Sequence, residues 1–247
     1  MSAIRSRDNP KVKRWSRLVR DGRFRRQEGR TLIEGAHLLA AYLQHDKPIA
    51  LLATERGLAN GEIKALLKNA APIVLAEGVF RSIVDVETPQ GIAAEIAIPE
   101  PEEREGDRVY LEGVQDAGNV GAIIRSAAAF GIKTLCVDRD CADPWSPKVL
   151  RAGMGGHFAL SVRQGDPREF TGKLICTVVK DGTTLSSADL SGRIAWVFGS
   201  EGKGVSPDVQ RKAAVRVTIP TDPGTESLNV AAAAAICLYE AYSSRET

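Results

Sequence analysis

The 247-residue chain is poor in the side chains that build metal sites and disulfide frameworks. It has four cysteines and three histidines, and no C-x-x-C pair is among them. We therefore expect no metal site and no disulfides, and we interpret the cysteines as small packing residues in a reduced, cytoplasmic protein. So few histidines also give poor support to a hydrolytic triad.

Long apolar runs are missing as well. No segment approaches the ~18 uninterrupted apolar residues of a membrane-spanning helix. The N-terminal stretch MSAIRSRDNPKVKRW has no apolar core of the kind found in secretory signals. We expect no membrane partner, and the composition, 43% hydrophobic and 26% charged, is typical of a globular protein.

The familiar nucleotide-binding fingerprints are absent too. Gly202-Lys203 is followed by glycine instead of Ser or Thr, and Val197 occupies the upstream glycine of a P-loop. Phe158 stands where a dinucleotide fingerprint needs its last glycine. No G-x-S-x-G nucleophile elbow occurs. These absences exclude three large enzyme classes in their usual form.

Positive charge is concentrated at the start of the chain. Residues 1–30 hold eleven Lys and Arg against three acids, although the net charge of the whole chain is only +2. Such asymmetry favours a surface for RNA or DNA, the alternative being a solvated helix face. The candidate RNA-binding residues are Arg14, Arg23, Arg25 and Arg26. Phe24 lies among them and could stack on a base or belong to the core.

The alternation of helical and strand patterns predicts two α/β domains. Residues 1–98 include a helix over 9–20, capped by Asn9, and a helix over 60–69. The segment PEPEEREGD, residues 99–107, has no apolar side chain and predicts a linker. In residues 108–247 the runs LICTVV and IAWVF are apolar throughout, which indicates parallel strands buried on both faces.

Three loops of the second domain follow strands and precede helices, where ligands bind in α/β folds. They cover residues 113–131, 198–206 and 219–235. Ser227 or Asn229 can cap the last helix. The alternative interpretation is of ordinary connections, with Arg125 a surface residue and Glu201 paired with Lys203.

The three loops together resemble one known family. NVGAIIR (119–125), GSEGKGVS (199–206) and IPTDPGTESLNVAAA (219–233) are similar to motifs 1, 2 and 3 of the SpoU, or TrmH-like, RNA 2′-O-methyltransferases of the SPOUT superfamily. ADPWSPKVLRAGMGG (142–156) is similar to an intermediate family segment, and NPKVKRW with TLIEGAHLL resembles an L30e-like substrate-binding domain. Thr221 and Pro223 depart from the residues common in motif 3.

The resemblance implies a parallel-sheet α/β domain tied in a deep trefoil knot and preceded by a small L30e-like α/β domain. It also implies S-adenosyl-L-methionine as cofactor, contacted by Gly199, Ile219 and Leu228. The catalytic residues that it implies are Asn119, Arg125, Glu201, Ser227 and Asn229.

The implied roles differ among these residues. Asn119 positions the ribose, and Ser227 and Asn229 orient the reacting end of the cofactor. Glu201 orients Arg125 or Asn119, across a dimer interface. Arg125 assists loss of the hydroxyl proton, and we favour electrostatic stabilisation because a guanidinium stays protonated in proteins.

The expected function is thus an S-adenosylmethionine-dependent RNA 2′-O-ribose methyltransferase that acts as a homodimer on structured RNA. Ribosomal RNA is favoured over tRNA because the resemblance includes the extra N-terminal domain. Three alternatives stay open: a tRNA 2′-O-methyltransferase, a methyltransferase acting on a base nitrogen, and a non-catalytic RNA-binding protein that keeps the fold.

Overall fold

The computed structural model describes residues 3–68, 70–224 and 226–245, which form two compact units. One unit extends through Glu100 and also contains Trp145–Phe158; the other contains Pro101–Pro144 and the residues from Ala159 onward. Asn69, in the predicted helix over 60–69, and Thr225, in the third loop, lie outside the described residues.

The first unit is a four-stranded sheet with helices on both faces. Strand β4 is antiparallel to β1 and β2, and β3 is parallel to β2, in the order β1-β4-β2-β3. Its helices and strands are α1 (Pro10–Arg20), α2 (Gly22–Glu28), β1 (Arg30–Glu34), α3 (Ala36–Leu43), β2 (Ala50–Ala53), α4 (Glu55–Ala59), α5 (Gly61–Leu67), β3 (Ile73–Val74), α6 (Glu77–Phe80), β4 (Ile92–Ala97) and, from the later segment, a helix over Pro147–Gly153.

Helix α1 begins and packs as the sequence predicts. The Asn9 side chain accepts a hydrogen bond from the Lys11 N–H, and Pro10 occupies the first helical position. Val12, Trp15 and Leu18 then recur on one side and enter the core with Ala93 of β4. Of the basic residues between them, Lys13 and Arg17 stay exposed, whereas Arg14 is half-buried.

Glu95 is a buried carboxylate in the otherwise apolar strand β4. It accepts hydrogen bonds from Trp15 Nε1 at 2.8 Å, Arg14 Nη1 at 2.8 Å and Arg30 Nη1 at 3.0 Å. Burial alone would raise its pKa, but these donors outweigh burial and hold the pKa of Glu95 below its ordinary value. Part of the N-terminal positive charge therefore neutralises a carboxylate inside the unit.

The second unit is a seven-stranded sheet in the order β7-β6-β5-β10-β8-β11-β9, and all of its recorded pairings are parallel. Its helices and strands are β5 (Arg108–Glu112), α7 (Ala117–Ala129), β6 (Thr134–Val137), β7 (Ser161–Gln164), β8 (Lys173–Thr177), β9 (Thr183–Thr184), β10 (Ile194–Gly199), α9 (Pro207–Lys212), β11 (Val215–Thr218) and α10 (Val230–Ser243). In this numbering, helix Pro147–Gly153 of the first unit is α8.

Both faces of this sheet are covered, which explains the uninterrupted apolar strands. Tyr110, Cys136 and Val197 lie in register on one face and pack with Val209 of α9. Helix α10 packs against α7 and β10. The prediction of a parallel sheet buried on both faces is confirmed.

The cysteines pack, as the sequence suggests. Cys136, Cys176 and Cys237 are buried free thiols, and Cys141 is half-buried. Burial raises the pKa of Cys176 to about 11 and that of Cys141 and Cys237 to about 12. These thiols stay protonated near neutral pH and are poor nucleophiles.

The predicted linker over residues 99–107 has no helix or strand, but its later part is fixed to the second unit. Glu103 forms ion pairs with Arg108 and Arg163. The Glu102 N–H donates to Ser161 Oγ at 3.1 Å, and Asp107 pairs with Arg245. Two of the acidic residues in the predicted linker, Glu103 and Asp107, are thus paired with arginines of the second unit.

Several boundaries differ from the sequence prediction for local reasons. The helix expected over 60–69 appears as α5, which Asn60 caps. A further short helix, α4, precedes it and is capped by Thr54. Residues 145–158, assigned by sequence to the second domain, pack within the first unit. There the Thr31 hydroxyl donates to the Trp145 carbonyl at 2.8 Å. The trefoil knot stays a prediction of the family resemblance.

Within the described residues, every helix is too short or too polar to span a bilayer.

We predict that Glu95→Gln destabilises the first unit by about 2–3 kcal/mol, because it removes a buried charge on which two guanidinium groups and an indole N–H converge. Since the folded state lowers the pKa of Glu95, its contribution is complete above the ordinary value of 4.5 and is lost as the pH falls through the lowered pKa. Hydrogen exchange in β1 and β4 measures the loss of protection.

The matched control is Glu28→Gln, which removes a more exposed carboxylate that pairs with Arg14. It should cost less than about 1 kcal/mol. Equal loss of protection in the two variants would contradict a special role for Glu95.

Candidate active site

The site lies where the carboxyl ends of the central parallel strands meet. Gly199, the last residue of β10, is opposite Glu112, the last residue of β5. On the other side of β10, Thr177 at the end of β8 is opposite Val217 of β11. The loops that follow these strands therefore leave the sheet from one edge, as parallel pairing requires.

The loop after β10 turns back tightly on Gly199. The Gly204 N–H donates to the Ser200 carbonyl at 2.8 Å and closes the turn. A Cβ on Gly199 would lie 2.1 Å from the Gly204 carbonyl carbon and 2.3 Å from Val205 N, both backbone atoms. Only glycine fits here, whereas a Cβ on Gly202 would have no atom within 4 Å.

Two helices begin at this edge, each with a side-chain cap. Asp116 Oδ1 accepts from the Asn119 N–H at 2.9 Å at the start of α7. Asn229 Oδ1 accepts from the N–H groups of Ala231 and Ala232 at the start of α10. Of the two caps that the sequence allowed for α10, Asn229 is therefore the one used.

One hydrogen-bonded chain joins the three loops. Asn119 Nδ2 donates to Glu201 Oε1, and Asn229 Nδ2 donates to Asn119 Oδ1 at 2.9 Å. Both ends of the Asn119 amide are thus held, one by motif 2 and the other by motif 3. Glu201 makes this contact within its own chain, whereas the expected contact across a dimer interface stays a prediction. Its predicted alternative partner, Lys203, instead donates its backbone N–H to Ser200 Oγ.

Arg125 lies on the same helix as Asn119, about 9 Å further along the axis at the rise of an α-helix. Its side chain is exposed. Among the residues that the structure describes, Arg125 has no hydrogen bond or ion pair, so its guanidinium is available to a ligand. The predicted contact of Glu201 is therefore made to Asn119 and not to Arg125.

The remaining predicted residues line the loop between β11 and α10. Ile219 and Leu228 are half-buried, and Ser227 is exposed. No hydrogen bond joins these three side chains to the Asn119 chain in the described part of the structure. Their predicted roles toward the cofactor stay predictions.

The four arginines proposed for RNA divide into two pairs. Arg23 and Arg26 are exposed on α2. The prediction that Arg25 contacts RNA is corrected. Arg25 is buried, and its Nη1 donates to the carbonyls of Leu18 and Val19 at the end of α1. Arg14 is engaged by Glu28 and Glu95, so its charge is already neutralised.

The aromatic ring near these arginines also has a structural role. Phe24 packs against the core of the first unit, and the Arg17 guanidinium lies 3.9 Å from its centroid. The core interpretation of Phe24 is confirmed.

Sequence reasoning missed two acids that support the site. Asp116 is the N-cap of α7, and a short acid three residues before Asn119 was a signal for it. Asp138 accepts from the Gly113 N–H at 3.0 Å and the Cys141 N–H at 2.9 Å, which braces the start of the first loop. No sequence signal identifies Asp138, because its partner Gly113 belongs to a different strand end.

The match to a known family covers this whole arrangement. Residues 107–239 match the SpoU rRNA Methylase family. The chain belongs to the SpoU rRNA Methylase family. Residues 9–94 match the MRM3-like substrate binding domain. The resemblance stated from the motifs is confirmed, as are the α/β fold class and the expectation of an S-adenosylmethionine-dependent RNA methyltransferase.

Similar proteins cover the chain almost completely. It is 30% identical over 248 residues to the 23S rRNA (guanosine(2553)-2′-O)-methyltransferase of Bacillus subtilis, with 97% of this chain and 98% of the relative aligned. It is 34% identical to an uncharacterised tRNA/rRNA methyltransferase of Synechocystis, with 98% and 93% aligned. The SpoU methyltransferase AviRb of Streptomyces viridochromogenes, solved with AdoMet, superposes with a TM-score of 0.85 at 25% identity over 97% of this chain and 99% of that one.

The residues at the sheet edge fit S-adenosylmethionine. The backbone at Gly204 faces open space, so that a ligand can approach it closely. The half-buried Ile219 and Leu228 supply apolar surface for an adenine ring. Donor, acceptor and apolar groups thus occur at one edge.

We predict that Gly199→Ala destabilises the turn by about 1–3 kcal/mol and sharply weakens S-adenosylmethionine binding, because the new methyl would overlap the Gly204–Val205 backbone. Gly202→Ala in the same loop meets no atom and should change stability by less than about 0.5 kcal/mol. Calorimetric titration with the cofactor compares the two variants. Equal affinities would contradict this account of the turn.

Proposed function

We propose that this chain transfers the methyl group of S-adenosylmethionine to a ribose 2′-hydroxyl of ribosomal RNA. The observation that carries the proposal is the hydrogen-bonded chain Glu201–Asn119–Asn229, which links three motifs far apart in sequence at the carboxyl edge of the sheet. Arg125 projects from the same helix as Asn119 and is exposed. A cation can stabilise the negative charge that develops on the hydroxyl oxygen, and an oriented amide can hold the ribose in position.

We assign the following roles in methyl transfer to the residues of this chain. S-adenosylmethionine, when bound, supplies an electrophilic methyl group. One amide N–H of Asn119 donates to Glu201, and the second N–H can donate to a ribose oxygen. Arg125 would stabilise the negative charge that develops on the 2′ oxygen as its proton leaves. Gly199, Ile219 and Leu228 would hold the cofactor, and Ser227 and Asn229 would orient its reacting end.

The choice of ribosomal RNA rests on the relatives. The Bacillus subtilis relative is named a 23S rRNA 2′-O-methyltransferase, and it aligns with almost the full length of this chain. The first unit, which matches a substrate-binding domain, would supply affinity for structured RNA. Its exposed basic residues Arg23 and Arg26 are the candidates that remain after Arg14 and Arg25 are assigned to internal contacts.

The homodimer and the cytoplasmic location are part of this proposal. Helix α10 exposes Ile236 and Tyr239 by 41% and 56%, and Tyr239 meets Phe130 at the end of α7. A second copy could cover this apolar face in a two-fold contact. Light scattering should then give twice the chain mass of 26.5 kDa. The protonated thiols suit a reducing compartment.

We predict that Arg125→Ala lowers methyl transfer to RNA by about 10²–10³-fold while S-adenosylmethionine affinity stays near that of the wild type. The physical reason is that the guanidinium acts on the developing alkoxide and not on the cofactor. Nucleoside analysis of treated ribosomal RNA measures the 2′-O-methyl product. Lys133→Ala, which removes another exposed cation at the amino end of β6, is the matched control.

Full activity of Arg125→Ala would overturn the assigned role. A methylated base in place of a 2′-O-methyl nucleoside would overturn the reaction itself.

We predict that the double variant Arg23→Glu/Arg26→Glu weakens RNA binding and reduces the slope of log affinity against log salt by about 2, because each phosphate contact contributes about 0.9 to the slope. Filter binding at several salt concentrations measures it. The matched control is Arg56→Glu/Lys64→Glu, which makes the same charge change on α4 and α5. An equal effect of both pairs would indicate general charge and not a site on α2.

A further inference from the structure

Glu112 connects the strand that leads to motif 1 with the end of motif 2. It is the last residue of β5, half-buried, and in register with Gly199. Its Oε2 accepts a hydrogen bond from the Ser206 N–H at 2.8 Å. Ser206 is the residue at which the loop 199–206 ends and α9 begins.

This contact satisfies a backbone donor that the helix itself leaves open. Ser206 is the N-cap of α9, and no side-chain cap hydrogen bond forms there. Val205, just before it, is buried. A backbone N–H in such a place costs free energy when it has no partner, because it loses water without replacing it. The Glu112 carboxylate therefore favours the conformation in which the loop is closed against β5.

The loop is consequently held at both ends by the segment that carries motif 1. Near its start, Glu201 accepts from Asn119 of α7. At its end, Ser206 donates to Glu112 of β5. Between these two points the loop is held by its own turn, closed by Ser200 and Gly204, and by buried Val205, whose carbonyl accepts from Gln210 Nε2 at 2.7 Å. Removal of the Glu112 attachment should therefore loosen the loop at its end without releasing it entirely.

We propose that Glu112 is a positioning residue for the cofactor site: its carboxylate holds the 199–206 loop in the shape that binds S-adenosylmethionine. Glu112 acts through the Ser206 backbone and touches neither cofactor nor RNA. This inference rests on the proposed function, since it assigns the loop to the cofactor. Its signature is a change in cofactor binding without a matching change in the chemical step.

The test compares Glu112→Ala with Glu112→Gln. The alanine variant should weaken S-adenosylmethionine binding by about tenfold, the effect of one lost hydrogen bond to a charged acceptor. It should raise KM for the cofactor while kcat at saturation stays within about threefold of the wild type. The glutamine variant should recover most of the affinity, because its amide oxygen can accept the same bond.

Hydrogen exchange of the cofactor-free protein provides a readout that needs no catalysis. Amides of residues 200–206 should exchange faster in Glu112→Ala, with the unfolding midpoint of the protein little changed. Asp208→Ala is the matched control, because it removes an exposed carboxylate from the first turn of α9 that pairs with Arg211 and not with the loop.

The outcomes separate the two proposals. If the wild type does not bind S-adenosylmethionine, the proposed function fails. If the wild type binds it and Glu112→Ala binds equally well with unchanged loop exchange, only the role of Glu112 is overturned. The role is also overturned if Glu112→Gln is as weak as Glu112→Ala, since the acceptor would then not be the cause.

Discussion

The site depends on a single amide whose two ends are both held. Asn119 donates to Glu201 and accepts from Asn229, so one side chain joins three loops that are far apart in the sequence. An amide fixed in this way has a defined orientation and keeps one N–H for a ligand. We interpret the roles of the glycine turn, the helix caps and Arg125 of α7 by reference to this junction.

Parallel pairing is what makes the junction possible. Because β5, β10, β8 and β11 run in the same direction and in register, the loops that follow them leave from one edge. Parallel strands require crossovers, and these cover both faces of the sheet, which is why the central strands are apolar throughout. The sheet thus brings residues as far apart in the sequence as Asn119 and Asn229 within hydrogen-bonding distance of each other.

Charged side chains in this molecule either stay exposed or form internal ion pairs and hydrogen bonds. The sequence pattern does not distinguish the two groups. The N-terminal arginines read as a single basic surface, yet Arg25 caps the end of α1 and Arg14 neutralises buried Glu95. Arg23 and Arg26 alone of the four candidates remain exposed. The acidic linker shows the converse, because Glu103 and Asp107 are paired with arginines of the second unit. Local charge density predicts neither set of partners.

The sequence by itself determined the features that depend on neighbouring residues. Strand and helix periodicity, the Asn9 cap and the three family motifs are all local patterns, and the structure and the family match agree with them. For α10 the sequence left Ser227 and Asn229 open as caps, and the structure selects Asn229. Only the tertiary structure decided which partner each polar group has. Glu201 bonds to Asn119 of its own chain, Glu112 to Ser206, and Arg25 to the end of α1. These pairings follow from strand register and helix packing, which bring together residues with no relation in sequence, and no local pattern records them.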